Sequence, residues 1–187
     1  AREGRFGKKG EPKSLVPFAA SSIPLVTLGT FFLWFGWFGF NGFSQLAMGT
    51  FDDVTAITKI AVNTHLAGAA GVVTGAVVTR LLDSKTDVVM MLNGALAGLV
   101  AITAEPLSPT PGLAIVIGSL GSLIMYFGTK FLERRGLDDV VGAIPVHMFA
   151  GIFGTLIVPF TNADTSFGTQ FTGVLAVCSF SFILSFI

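Results

Sequence analysis

The chain reads as an all-α polytopic membrane protein, and three observations carry that reading. Of its 187 residues 52% are hydrophobic and 12% charged, and the mean hydropathy is +0.78, far above the range of a water-soluble domain. The charges are also segregated. Stretches free or nearly free of them cover 14–51, 60–79, 88–104, 106–129, 140–163 and 165–187. Each has, or nearly has, the roughly 20 residues a helix needs to cross a bilayer. Finally, the positive charges fall on alternate loops. With the N-terminus inside, the inner segments hold Arg2, Arg5, Lys8, Lys9, Lys13, Arg80, Lys85, Lys130, Arg134 and Arg135, and Lys59 alone lies outside. That is a strong positive-inside bias, and it supports an even number of spans. The multi-pass chain is expected in the cell inner (plasma) membrane with its N-terminus cytoplasmic.

Residues 1–22 form an expected cytoplasmic basic loop, where Gly4, Gly7, Gly10 and Pro12 discourage helix. Residues 23–187 form a transmembrane helical domain. Its first span, 24–43, is dense in aromatics (FFLWFGWFGFNGF). Residues 44–58, with Asp52 and Asp53, form an outer loop or a short interfacial helix. The second span, 59–82, is rich in Ala, Gly, Val and Thr and turns inside through RLLDSKTD. The third, 88–104, stops at EPLSPTPG, whose prolines cannot continue a helix. The fourth, 113–132, leads into the inner loop ERRGLDD; the fifth covers 140–160 and the sixth 167–187. The chain starts at Ala1 and ends within an apolar run, so it is expected to be a fragment of a larger protein. Cys178, the single cysteine, can form no internal disulfide and reads as a small buried apolar side chain.

Small residues recur at four-residue spacing: Gly71 and Gly75, Gly94 and Gly98, Gly118 and Ser122. In lipid this spacing lets helices approach closely. It implies a compact bundle and identifies no substrate. His147 is more informative. It would lie roughly 12 Å into a helix starting at Val140, and an ionisable ring at that depth is a functional-site hypothesis. Asn63 and Asn93 are polar groups inside spans, suited to bonding between helices. His65 lies near the outer end of its span, where a helix-contact or interfacial role suits it. Zero net charge gives no nucleic-acid signal. There is no metal-ligand spacing, nucleophile–base pair or phosphate loop, so neither an enzyme nor a metal or other cofactor is expected.

Three segments carry a closer resemblance: LWFGWFGFNGFSQLA (33–47), NGALAGLVAITA (93–104) and LDDVVGAIPVHMFAGIFGTL (137–156). In order and spacing they resemble the ammonium transporter family, the Amt, methylammonium permease and Rhesus group. The resemblance runs through essentially the whole chain but covers only the C-terminal half of a typical member. It implies an eleven-helix fold of two inverted five-helix repeats plus a final helix, of which this chain would supply helices 6–11. By the same resemblance His147 matches the second of two pore histidines, and Phe40 one of two stacked gate phenylalanines. Ser44 matches a serine of the outer ammonium recruitment site, and Asp138 and Asp139 match a structural acidic pair. Gly142 stands where many members carry an acidic residue, while Phe43 and Met148 each replace a common glycine. The partners implied are ammonium or ammonia, the lipid bilayer, two further copies in a homotrimer, and a PII-type regulatory protein at the cytoplasmic face.

The expected order from outside is Ser44, Phe40, His147, with Asn93 a further pore-side polar candidate. Aromatic faces attract ammonium by roughly 0.5–2 kcal/mol, but they attract potassium as well. Ammonium can lose a proton and potassium cannot. A neutral imidazole in a narrow apolar passage discriminates on that difference. The expected function is therefore ammonium transport, in which ammonium is recruited and deprotonated and ammonia is conducted. The alternative is the membrane sensor module of an ammonium-responsive signalling protein. From the residues alone, His147 could equally be a hydrogen-bond partner between helices, Phe40 a packing residue, and Asp138 and Asp139 ordinary N-terminal acids of a helix.

Overall fold

A computed structural model describes residues 20–185. Most of the expected basic loop 1–22 therefore lies outside the described residues, as do Phe186 and Ile187 at the end of the expected last span. The described chain is helical throughout. Helix α1 (Ile23–Gly42) runs into a 3-10 turn at Phe43–Gln45, followed by α2 (Phe51–Leu82), α3 (Val88–Thr103) and α4 (Pro111–Arg135). Helix α5 (Ile144–Phe160) is irregular: a π-helical turn at Ile144–Phe149, α-helix over Ala150–Leu156 and a 3-10 turn at Val158–Phe160. Helix α6 covers Phe167–Leu184. Four of the six, α1, α2, α4 and α6, are long and apolar enough to cross a membrane, and α3 and α5 are shorter.

The ends obey local chemistry. The side chains of Ser22, Thr50, Asp87, Thr110 and Ser166 each accept a backbone N–H of the helix that follows. Gly136, at φ 72°, closes α4 with its N–H on Glu133 and Leu132 carbonyls.

Two helix starts differ from expectation. Helix α2 begins at Phe51 rather than near Lys59, because Thr50 and Asp53 form a capping box that satisfies two end N–H groups at once. The segment 44–58, expected as an outer loop or a short interfacial helix, thus supplies the first part of α2, which reaches 32 residues. Helix α5 begins at Ile144 rather than Val140. Gly142 takes φ 73°, outside helical space, and Asp139 accepts the N–H groups of Ala143 and Ile144 at 2.9 and 2.7 Å.

The core lies where α2, α3 and α4 meet. Ala67, Ala101, Ile102, Ala114 and Ile117 form one buried cluster. Ala97, Met125, Val146 and Ala150 form a second, which brings α5 against α3 and α4. Helix α1 buries only Thr30, Asn41 and Gly42, and α6 buries nothing. These outer helices keep apolar faces such as Phe31, Phe32, Phe35, Phe180 and Phe182 exposed, as a lipid environment or a further protein layer would require.

The small residues explain how the core closes. Gly71 and Gly94 face each other so tightly that a Cβ on either would meet the other's carbonyl. Ser122 donates to the same Gly71 carbonyl at 2.9 Å. Gly98 and Gly118 both abut the Ala67 carbonyl, and Gly75 abuts that of Met90. At the turn after α2, Asp83 accepts the Tyr126 hydroxyl at 3.0 Å and pairs with Lys130 at 3.2 Å, tying the end of α2 to α4.

Gly118→Ala should therefore cost about 2–3 kcal/mol by overpacking against the Ala67 backbone. Gly29→Ala, where nothing lies within 4 Å, should be neutral or stabilising by up to about 1 kcal/mol. Unfolding of both variants in one detergent would check this, and equal effects would refute the packing account.

Candidate functional site

His147 sits in the π-helical turn that opens α5. Pro145 within that turn has no N–H to give to an α-helical ladder. Pro145 and Val146 are buried, Val146 among the α3–α4 core residues, and Gly128 of α4 leaves room for Pro145 and the Phe149 ring. With those residues held inward, His147 and Met148 are turned outward and exposed. No hydrogen bond to the imidazole is present among the described residues.

The ring lies between two cavities. One, of about 420 Å³, is an open cleft bordered by α1, α3 and the entry to α5; Val26, Thr30, Leu33, Asn93, Val146 and His147 are among its lining residues. The other, of about 930 Å³, is an open apolar cleft between α5 and α6, with Gly151, Thr155, Val174, Cys178 and Phe182 alongside His147. His147 lines both. Cys178 is half-buried in the cleft wall rather than in a core.

The other sequence-selected residues are distributed as follows. Asn93 lines the smaller cavity with His147, and its Nδ2 donates to the Val141 carbonyl at 3.0 Å. Asp139 caps the start of α5, and Asp138 is exposed beside it. Phe40 and Ser44 line neither cavity. Phe40 is seven residues beyond Leu33, roughly 10 Å farther along α1. Its exposed ring packs near Trp37, with centroids 6.0 Å apart. Ser44 lies in the 3-10 turn, exposed, its hydroxyl donating to the Phe40 carbonyl at 3.2 Å. His65 is exposed and touches the rings of Trp34 and Phe38, at 5.5 and 6.2 Å between centroids. Asn63 donates to the carbonyls of Pro106 and Pro109, fastening α2 to the α3–α4 loop.

Two contacts set the rotation of α1 and hence which way Phe40 faces. Asn41 Nδ2 donates to Thr64 Oγ1 of α2 at 3.0 Å, and Trp37 Nε1 donates to Thr103 Oγ1 of α3 at 2.8 Å. Sequence reasoning missed both, along with Thr30 in the cavity wall and the role of Gly142. The Gly142–Pro145 spacing was the available signal for an irregular start to α5.

Residues 2–187 match the model of the Ammonium Transporter Family. Ammonium transporter Amt2 of Archaeoglobus fulgidus is 45% identical over 171 residues, covering 91% of this chain and 35% of that protein. Among solved structures, a "Sensor Amt Protein" superimposes with a TM-score of 0.85 at 33% identity, over 96% of this chain and 45% of its own. Candida albicans Mep2 gives 0.81 at 27% identity, over 90% and 41%. The chain therefore spans less than half the length of these relatives.

If the Asn41–Thr64 bond holds α1, Asn41→Ala should destabilise by about 1 kcal/mol. Adding Thr64→Val should then cost little more, since both changes remove one interaction. A double-mutant cycle in detergent reads this directly, and strictly additive losses would count against the bond.

Proposed function

Because this chain belongs to the ammonium transporter family, whose model covers residues 2–187, we propose that it supplies the second half of an ammonium-conducting pore. The observation that carries the reading is the position of His147, exposed between two cavities and without a hydrogen-bond partner among the described residues. A neutral imidazole placed so can accept a proton or hydrogen bond from a passing ammonium and return it. Apolar walls penalise a bare cation that cannot shed its charge, so ammonia crosses and potassium does not. Phe40, near the other end of α1, serves gating, and Ser44 just beyond it serves recruitment. The six helices are the six spans of the proposed half, α3 and α5 included, corresponding to helices 6–11 of the inverted-repeat fold. The N-terminus faces the cytoplasm of an inner (plasma) membrane. The complete protein is a homotrimer whose cytoplasmic face is open to a PII-type regulator. The chemistry is transport rather than catalysis.

A second reading has its own support. The superposition on a protein described as a sensor, at a TM-score of 0.85, favours a membrane sensing module with the same ligand. The gene downstream of Ile187 separates the two: a signalling output domain favours the sensor, a short tail the transporter.

In the full-length gene product, His147→Ala should reduce labelled methylammonium uptake into proteoliposomes by about 100-fold, the scale of a lost proton-transfer group. Uptake at the parent rate would overturn the pore assignment. Phe40→Ala should raise the KM about threefold to tenfold, the equivalent of one lost ring–cation contact; an unchanged KM would remove Phe40 from the path.

A further inference from the structure

The segment before α5 shows a construction that the pore reading leaves unexplained. Helix α5 cannot start at Val140, because residues 140–142 leave helical geometry and Gly142 stands at φ 73°. The reversal exposes the Val141 carbonyl, which has no place in a helical ladder. Asn93 of α3 meets it, with Nδ2 to the carbonyl oxygen at 3.0 Å. The fit is close on both sides, since a Cβ on Gly142 would lie 2.8 Å from that Nδ2. One half-buried residue thus satisfies a backbone acceptor at the exposed entry to α5 while lying hard against a glycine.

The consequences run directly to His147. The Gly142 carbonyl accepts the N–H of Val146 at 3.2 Å. Gly142, whose N–H belongs to the peptide held by Asn93, is thus tied through its own carbonyl to the residue preceding the histidine. From there the chain enters the π-helical turn Ile144–Phe149. A π turn adds a residue to the helical circuit and so re-aims every side chain within it. Had the segment continued as α-helix from Val140, the imidazole would take a different angle about the axis. Its place between the cavities would be lost. Asn93 and Val141 line the same 420 Å³ cavity as His147, so a loosened clamp would also reshape that wall.

We infer that Asn93, through its bond to the Val141 carbonyl beside Gly142, is a positioning residue that holds His147 in register between the two cavities. The inference rests on the pore reading above but assigns Asn93 no contact with the solute. It acts through the backbone. Helix α3 thereby sets the geometry of a group carried on α5, and a shift of α3 against α5 would alter conduction without touching the histidine.

The test uses the full-length gene product in proteoliposomes, with labelled methylammonium uptake and potassium flux measured per assembled protein. Two variants loosen the clamp by different means. Asn93→Asp keeps the shape but replaces the donor with an anion facing a carbonyl. Gly142→Ala keeps the donor but pushes it away and strains the positive φ. For each, the maximal rate should fall about tenfold or more, as expected of a small displacement of a reacting group. The KM should stay within about twofold, since recruitment at the far end of α1 is untouched. The pH profile should move and discrimination against potassium should weaken, effects that a mere loss of folded protein would not produce. If either variant assembles and retains the parent rate, pH profile and potassium discrimination while His147→Ala abolishes uptake, the positioning role is refuted and the pore reading stands. Should His147→Ala itself be silent, the pore reading fails.

Discussion

Backbone must touch backbone where α2, α3 and α4 cross, because in lipid no hydrophobic force drives one apolar helix onto another. Attraction has to come from dispersion at close range and from polar groups with no other partner. The chain meets this with glycine and alanine at the crossings and with the Ser122 hydroxyl on the Gly71 carbonyl. Bulk would separate the axes, and the dispersion contacts would weaken steeply with the gap. The rest of the molecule is arranged on this three-helix centre. Helix α5 lies against α3 and α4 through Val146 and Ala150, while α1 attaches through two side-chain hydrogen bonds.

The same solvent constraint shapes the candidate site. Irregular backbone within a membrane protein survives only where its freed polar groups find partners or line a cavity. The entry to α5 does both. Asp139 takes the two N–H groups at the start, Asn93 takes the Val141 carbonyl, and the segment borders the smaller cavity. The distortion and the exposure of His147 are therefore one feature. A straight helix could have buried its backbone demands without help, but it would not have turned that ring to the space between α1, α3 and α6.

Much of this was legible from residues alone. Charge segregation marked the helices, and the spacing of Gly71, Gly75, Gly94, Gly98, Gly118 and Ser122 marked the buried faces; all six are buried. His147 stood out because an ionisable ring in an apolar run is rare. The start of α2 was also written locally, in the Thr50–Asp53 box, but hydropathy pointed to Lys59 and outweighed it. The start of α5 was only partly local, in Asp139 and Gly142. Val140 and Val141 are apolar and suit a span, and the side chain that meets the freed Val141 carbonyl comes from Asn93, 48 residues earlier.

The linear order of residues thus determined the membrane class, the helices and the chemical identity of the groups, because hydropathy, charge and capping act over one or two turns. Tertiary structure alone decided which rings face a cavity and how far apart they stand. Phe40 and His147 ended in separate regions, and Asn93 came to hold the peptide ahead of another helix. Such facts depend on the relative rotation and offset of helices, which small residues permit in several ways and only the packed bundle selects.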